Sequence, residues 1–108
     1  KAALLNFAKG LSGEAAKTGV HVNCVSPGFI ETPMTDGMME QKAEADGTSR
    51  DEAVKDFLET ERPYIALERR GRPEEVAATI AFLCSEQASF VVGANYRVDG
   101  GSVAAIST

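Results

Sequence analysis

Apolar residues recur at helical offsets from Ala2 to about Lys17: Leu4, Leu5, Ala8, Leu11, Ala15 and Ala16, with no proline among them. Spacings of three and four gather such positions on one face, so the pattern predicts a helix. Gly10 and Gly13 weaken it, each by about 1 kcal/mol relative to alanine. Two glycines also let a second helix come close, so this helix is expected to pack against a partner. Lys17-Thr18-Gly19 supplies the stop, a cation followed by glycine. Val20 to Val25 then reads as a short strand, rich in β-branched residues and broken in polarity only by His21 and Asn23. Such a run suits a strand covered on both faces in a parallel sheet. Pro27 is expected to end it.

The stretch from Thr35 to Arg62 changes character. Acids stand at Asp36, Glu40, Glu44, Asp46, Asp51, Glu52, Asp56, Glu59 and Glu61, against bases at Lys42, Arg50, Lys55 and Arg62. Val54, Phe57, Leu58 and Tyr64 give its second half an apolar stripe. Asp46-Gly47-Thr48-Ser49 divides it into two short helices, with Ser49 as N-cap and Glu52 three residues on. The reading is a mobile, solvated insertion whose methionines face inward. Gly71-Arg72-Pro73-Glu74-Glu75 opens another helix, with proline first and two acids on the positive end of the dipole. Val76, Ile80, Leu83 and Cys84 mark one face of it, and it should end between Ser85 and Ala88. Asn95 to Val98 forms a second strand, turned off by Asp99-Gly100-Gly101. A strand, a crossover helix and a second strand argue for a parallel βαβ unit. Two parallel strands alone do not make a covered sheet, so their neighbours are expected outside this sequence.

Composition narrows the partners. The chain has 108 residues, 44% of them apolar and 25% charged, as in a soluble single domain. A net charge of -5 argues against nucleic acid, which needs a basic face. No run approaches the roughly 18 apolar residues of a membrane span. Residues 1–11 are no secretory leader, because Lys9 interrupts them and no cleavage pattern follows. Cys24 and Cys84 are too few for a disulfide framework and sit in apolar runs, as buried cysteines do. A reduced, cytoplasmic setting follows. With His21 the only histidine, no metal site is expected. The chain opens on Lys1 directly in helix-like sequence, as though it began partway through a longer protein.

Two segments carry a resemblance. KAALLNFAKGLSGEAAKTGVHVNCVSPGFIETPM at residues 1–34 and GRPEEVAATIAFLCSEQASFVVGANYRVDGG at residues 71–101 resemble the C-terminal part of the short-chain dehydrogenases/reductases, in their 3-oxoacyl-carrier-protein reductase-like group. Nearly the whole chain is covered, least well at about 36–66. The resemblance implies an α/β fold: the last two strands, with flanking helices, of a Rossmann-type doubly wound parallel sheet. Residues 1–108 would be the C-terminal portion of one NAD(P)-binding domain, with a substrate lid at about 34–70.

That family uses a Tyr-x-x-x-Lys helix, and Lys1 matches its lysine. By the resemblance Lys1 holds the nicotinamide ribose hydroxyls and lowers the pKa of a tyrosine one turn earlier. A free tyrosine titrates near 10, so a fixed cation at i+4 is chemically apt. Neither Tyr64 nor Tyr96 can substitute, since Glu68 and Gly100 stand four residues on. The cofactor, NAD or NADP, would be met by Pro27, Gly28, Ile30 and Thr32. Ligands of open α/β sheets lie beyond the carboxyl ends of the strands. Gly28 would leave room for a flat ring. Ile30 would offer its N–H and C=O to the carboxamide, and Thr32 its hydroxyl to the carboxamide or pyrophosphate. Thr32-Pro33 also reads as N-cap and first helical residue, aiming a helix N-terminus at phosphate. Met34, Met38 and Met39 would line an apolar substrate pocket. Asn23 is read as structural, bonding neighbouring backbone. The first helix, Tyr96 and the Asp99 turn match regions of subunit contact, implying a homotetramer.

The expected function of the parent protein is hydride transfer between NAD(P)(H) and a small-molecule carbonyl or alcohol. Two rivals stay open: a related fold that binds nucleotide only as regulator or scaffold, and an inactive remnant serving assembly.

Overall fold

A computed structural model describes residues 1–106. In chain order it contains α1 (Ala2–Ala16), β1 (Cys24–Pro27), α2 (Pro33–Asp46), α3 (Arg50–Glu61), α4 (Pro73–Leu83), a 3-10 turn (Glu86–Ala88) and β2 (Asn95–Val98). The chain divides into two compact units. The first is Lys1–Ser26 with Glu74–Val98; the second is Pro27–Pro73 with the residues from Asp99 onward.

In the first unit β1 and β2 pair as a parallel two-stranded sheet. The α/β expectation is met, with one boundary moved. The strand was expected over Val20–Val25 and runs over Cys24–Pro27. The reason lies in the end of α1: the Val20 N–H still donates to Ala15 O at 3.1 Å, so Val20 belongs to the helix terminus. Pairing begins only where Gly93 N–H reaches Val22 O (2.9 Å) and Cys24 N–H reaches Ala94 O (2.8 Å). Pro27 closes the strand from within, as a proline can at a strand's end. Cys24, Val25 and Ser26 are half-buried rather than covered on both faces. Asn23 behaves as expected. Its side-chain amide donates to Val91 O and accepts from Ala94 N–H, both at 3.0 Å, pinning the approach to β2.

The helices of this unit leave apolar side chains open. Leu4, Phe7 and Leu11 are 67%, 66% and 45% exposed, and the buried residue of α1 is Ser12. Ser12 Oγ and Lys9 Nζ instead stand within 3 Å of where a side chain on Gly93 would lie. α1 thus turns a polar face to the β2 approach and an apolar ridge to solvent. Among the described residues nothing approaches Gly10 or Gly13 within 4 Å, so the partner helix expected there is not met among them. α4 likewise has no buried residue, and Cys84 is exposed rather than buried.

The second unit holds the better core. The insertion expected to be solvated is a helix pair: Met39 and Ala43 of α2 and Ala53 and Leu58 of α3 are buried, joined by Ile30 and Ile65. The break at Asp46–Ser49 forms as predicted. Gly47 takes a left-handed φ of 67°, which glycine adopts without strain, and Ser49 Oγ accepts the Glu52 N–H. Lys42 then reaches both Asp46 and Asp56 at 2.8 Å, tying α2 to α3.

Candidate functional site

Lys1 lies in the first unit. It is exposed and caps α1 through its backbone, its carbonyl accepting the Leu5 N–H at 3.0 Å. The other expected cofactor residues lie together in the second unit, where the chain leaves β1.

Pro27 and Gly28 are exposed. The need for glycine at 28 is more specific than room for a ring. A Cβ there would stand 2.8 Å from Asp99 Cα and 2.9 Å from Asp99 Cβ. The turn at Asp99–Gly101 therefore occupies the space a side chain would need. Next, Phe29 O accepts from Gly71 N–H (2.9 Å) and Glu31 N–H donates to Gly71 O (2.8 Å), a parallel bridge centred on Ile30. This pairing turns the polar groups of Ile30 itself away from Gly71. Its carbonyl accepts from Thr35 Oγ1 at 2.6 Å. Among the described residues its N–H donates to no protein acceptor. Phe29 packs on Phe57 with ring centroids 5.2 Å apart, and the Arg62 guanidinium lies 5.3 Å from the Phe57 centroid.

Thr32 is the N-cap of α2, as its sequence predicts, with Pro33 at the first position. Its Oγ1 accepts from Thr35 N–H (3.2 Å) while its own N–H donates to Thr35 Oγ1 (3.1 Å). This is a capping box with threonine in the place usually taken by glutamate or glutamine.

Sequence reasoning missed Arg70. It is buried, with 7% of its side chain exposed, and its Nη1 reaches Asp36 Oδ1 at 2.7 Å and Thr35 Oγ1 at 3.1 Å. Its Nε is buried with no acceptor. A basic residue in a charged stretch ordinarily reads as solvated, and nothing in the local pattern distinguished Arg70 from Arg69 or Arg72. The pair neutralises the acid in the first turn of α2.

The methionines separate. Met39 is 1% exposed and belongs to the core of the helix pair, which corrects its expected place in a substrate pocket. Met34 and Met38 face outward, at 74% and 42% exposure, which corrects the expectation that all three point inward. The second unit also contains an open cavity of about 610 Å³ between α3 and residues 62–70. Val54, Leu58 and Ile65 line it, with charges of both signs such as Glu31, Lys55 and Arg62, and no methionine does. No cluster of metal-ligating side chains occurs among the described residues, and no helix is long and apolar enough to cross a membrane.

The backbone geometry suits a flat amide. Ile30 offers a donor without a protein partner and a carbonyl that keeps one lone pair, beside an exposed glycine. These are the groups a nicotinamide carboxamide requires.

Comparison with known proteins gives the family. The family model described as enoyl-(acyl carrier protein) reductase matches residues 1–103. A 3-oxoacyl-(acyl-carrier-protein) reductase of Aquifex aeolicus is 41% identical over 101 residues, 94% of this chain and 35% of that protein. Dehydrogenase/reductase SDR family member 4 of Bos taurus is 38% identical, over 95% of this chain and 32% of that protein. Among solved structures, L-sorbose reductase of Gluconobacter frateurii, complexed with NADPH and L-sorbose, superposes with a TM-score of 0.87 at 33% identity. That match covers 97% of this chain and 39% of the reductase. The chain thus spans about a third of the length of the curated relatives it matches.

Proposed function

We propose that this chain, which belongs to the enoyl-(acyl carrier protein) reductase family of the short-chain dehydrogenases/reductases, is the C-terminal part of an NAD(P)-dependent oxidoreductase. The observation that carries this reading is the Ile30 N–H without a protein acceptor beside exposed Gly28, on a residue whose carbonyl is already held by Thr35. When bound, the dinucleotide supplies or accepts a hydride at its nicotinamide ring, against a carbonyl or alcohol carbon. Ile30 holds the carboxamide through its N–H and remaining lone pair. Pro27 and Gly28 give the ring a face without side chains. The Thr32 hydroxyl, whose oxygen accepts from Thr35 N–H and lies a long 3.3 Å from Thr35 Oγ1, turns its proton to the carboxamide or pyrophosphate when the cofactor is bound. Lys1 positions the ribose hydroxyls and supports the tyrosine expected one turn before it.

Met34 and Met38, exposed on α2, offer an adaptable apolar surface to a small-molecule substrate. The parent is further proposed to be a cytoplasmic homotetramer. The exposed ridge of Leu4, Phe7 and Leu11 supports assembly through α1.

The test is oxidation of NADPH and NADH by the full-length protein carrying this chain, against a panel of ketones, aldehydes and acyl thioesters. Turnover is expected with at least one substrate class. Lys1→Met should lower it by about 10²- to 10⁴-fold, the usual contribution of positioned acid–base groups. Dinucleotide binding with no turnover on any carbonyl or alcohol would replace the enzyme reading with a regulatory one.

A further inference from the structure

We infer that Arg70 is a positioning residue for the nicotinamide half of the cofactor, acting through the Thr35 hydroxyl. The inference rests on Ile30 facing the carboxamide, as proposed above. It follows from counting hydrogen-bonding capacity at one oxygen. A threonine hydroxyl has one proton to donate and two lone pairs. Thr35 Oγ1 receives the Thr32 N–H at 3.1 Å and the Arg70 Nη1–H at 3.1 Å, which fills both lone pairs. Its proton must then go to an acceptor. Three oxygens are in reach, Ile30 O at 2.6 Å and Thr32 O and Thr32 Oγ1 each at 3.3 Å, and the shortest contact wins.

Arg70 therefore fixes the rotor of Thr35, and Thr35 fixes the Ile30 carbonyl. The carbonyl belongs to the peptide unit joining Ile30 to Glu31, whose N–H is held by Gly71 O at 2.8 Å. That unit is clamped at both ends, so the free lone pair of Ile30 points one way. Without the arginine, Thr35 Oγ1 regains a lone pair and its proton is free to leave Ile30 for water or Thr32 O.

Stability does not account for Arg70. Its Nε is buried without an acceptor, a costly arrangement, while its partner Asp36 keeps 36% exposure. Replacing both partners of a buried ion pair by apolar groups is often neutral or stabilising, whereas removing one partner costs stability according to how buried the other is, and Asp36 is partly exposed. A role in orientation is therefore read from ligand binding rather than from the melting temperature of Arg70→Met.

The experiment uses the full-length protein and two ligands: the dinucleotide it oxidises, and the matching ADP-ribose compound that lacks only the nicotinamide. Three variants are compared with wild type: Arg70→Met, Thr35→Val and Thr35→Ser. Arg70→Met and Thr35→Val should weaken dinucleotide binding by about fivefold to tenfold, the worth of one or two oriented hydrogen bonds. ADP-ribose binding should stay within about twofold of wild type in both, as expected when only the nicotinamide contact is lost. Thr35→Ser, which keeps the hydroxyl, should bind like wild type. Should Arg70→Met not fold, Thr35→Val alone decides, since it leaves the Arg70–Asp36 pair in place. Unchanged dinucleotide binding in the variants, or equal weakening of both ligands, overturns the inference. If wild type binds the two ligands equally, the reading of Ile30 itself fails and the inference fails with it.

Discussion

Gly28→Ala places a methyl group against a backbone that has nowhere to go. The new carbon would stand 2.8 Å from Asp99 Cα, 2.9 Å from Asp99 Cβ and 3.5 Å from Asp99 C. Carbon atoms attract best at about 3.5–4.0 Å, so two of the three contacts are too short by roughly 0.6 Å or more. Neither can be relieved by rotating a side chain. Asp99 is held by its own turn, its Oδ1 accepting the Gly101 N–H at 3.1 Å, and the next carbonyl, Gly100 O, accepts the Leu67 N–H at 3.2 Å. Moving Asp99 disturbs both bonds. Overpacking of this kind costs about 1–3 kcal/mol, and the rigidity puts it near the upper end. Against this, alanine narrows the unfolded ensemble and returns about 0.4–1 kcal/mol. The clash wins, with a net loss of about 1–2.5 kcal/mol by these two magnitudes. In a full-length protein of this family that lowers Tm by about 2–10 °C, using roughly 2–4 °C per kcal/mol at such sizes. The assay is a thermal melt without cofactor, with Gly37→Ala as control. Gly37 lies inside α2 with nothing within 4 Å of its missing Cβ, so alanine there should stabilise by about 1 kcal/mol. The two substitutions should move Tm in opposite directions. A Gly28→Ala protein that melts at or above wild type refutes the packing argument.

Glu68 is the one non-glycine residue with positive φ among those described, at 54°. Left-handed backbone costs a side-chain-bearing residue roughly 1–2 kcal/mol, so Glu68→Gly should gain about 0.5–1 kcal/mol after its greater unfolded-state entropy; a lower melting temperature would contradict this. Hydrogen bonds to Asp46 and then Asp56 hold the Lys42 ammonium above the ordinary lysine range. Because the folded value is raised, the stabilisation is fully present below about pH 10.4 and is lost as pH rises through the folded value. The urea midpoint of wild type minus that of Lys42→Gln should therefore stay flat from neutrality to about pH 10 and shrink above it; shrinkage already below about pH 9 would sink the assignment. Expressed alone, these 108 residues should self-associate through the open faces bearing Leu4, Phe7, Leu11, Ile80 and Phe82. Light scattering that finds a monodisperse, cooperatively melting monomer would count against it.

Local punctuation was the legible part of the sequence. Lys17–Gly19, Thr32-Pro33, Asp46–Ser49 and Pro73 each mark a helix boundary, because capping and turn chemistry act over three or four residues. The site backbone was legible only through family resemblance. Nothing in the order Phe29-Ile30-Glu31 announces that Gly71 will turn the Ile30 groups outward. Burial was the least legible. Leu4 and Leu11 stand on the apolar face expected to be covered and are exposed, while Met39 and Ala43, in an acid-rich stretch read as solvated, are buried. Periodicity reports that a helix has an apolar face, and the covering of that face is decided by distant sequence. Arg70 escaped notice for the same reason, since its partners Thr35 and Asp36 lie 35 and 34 positions away.

The segment from Gly28 to Asp36 is anchored at almost every residue by a different part of the second unit. Asp99 abuts Gly28, Phe57 packs on Phe29, Gly71 bridges around Ile30, and Arg70 holds Thr35 and Asp36. A loop held this way has already lost the freedom that binding would otherwise remove. Ordering a flexible loop costs a ligand about 0.5–1.5 kcal/mol per immobilised side chain. Here that cost is met on folding. The same anchoring fixes the direction of the Ile30 N–H: Gly71 bonds to Phe29 O and Glu31 N–H on one side, so the Ile30 groups face the other. It also explains why the anchors are dispersed through the chain. Positions 57, 70, 71 and 99 lie on three separate stretches, so no single local rearrangement releases the loop. Substitutions at any one of them should loosen nicotinamide contacts in proportion to the hydrogen bond or contact removed, and substitutions on the exposed face of α3 should not.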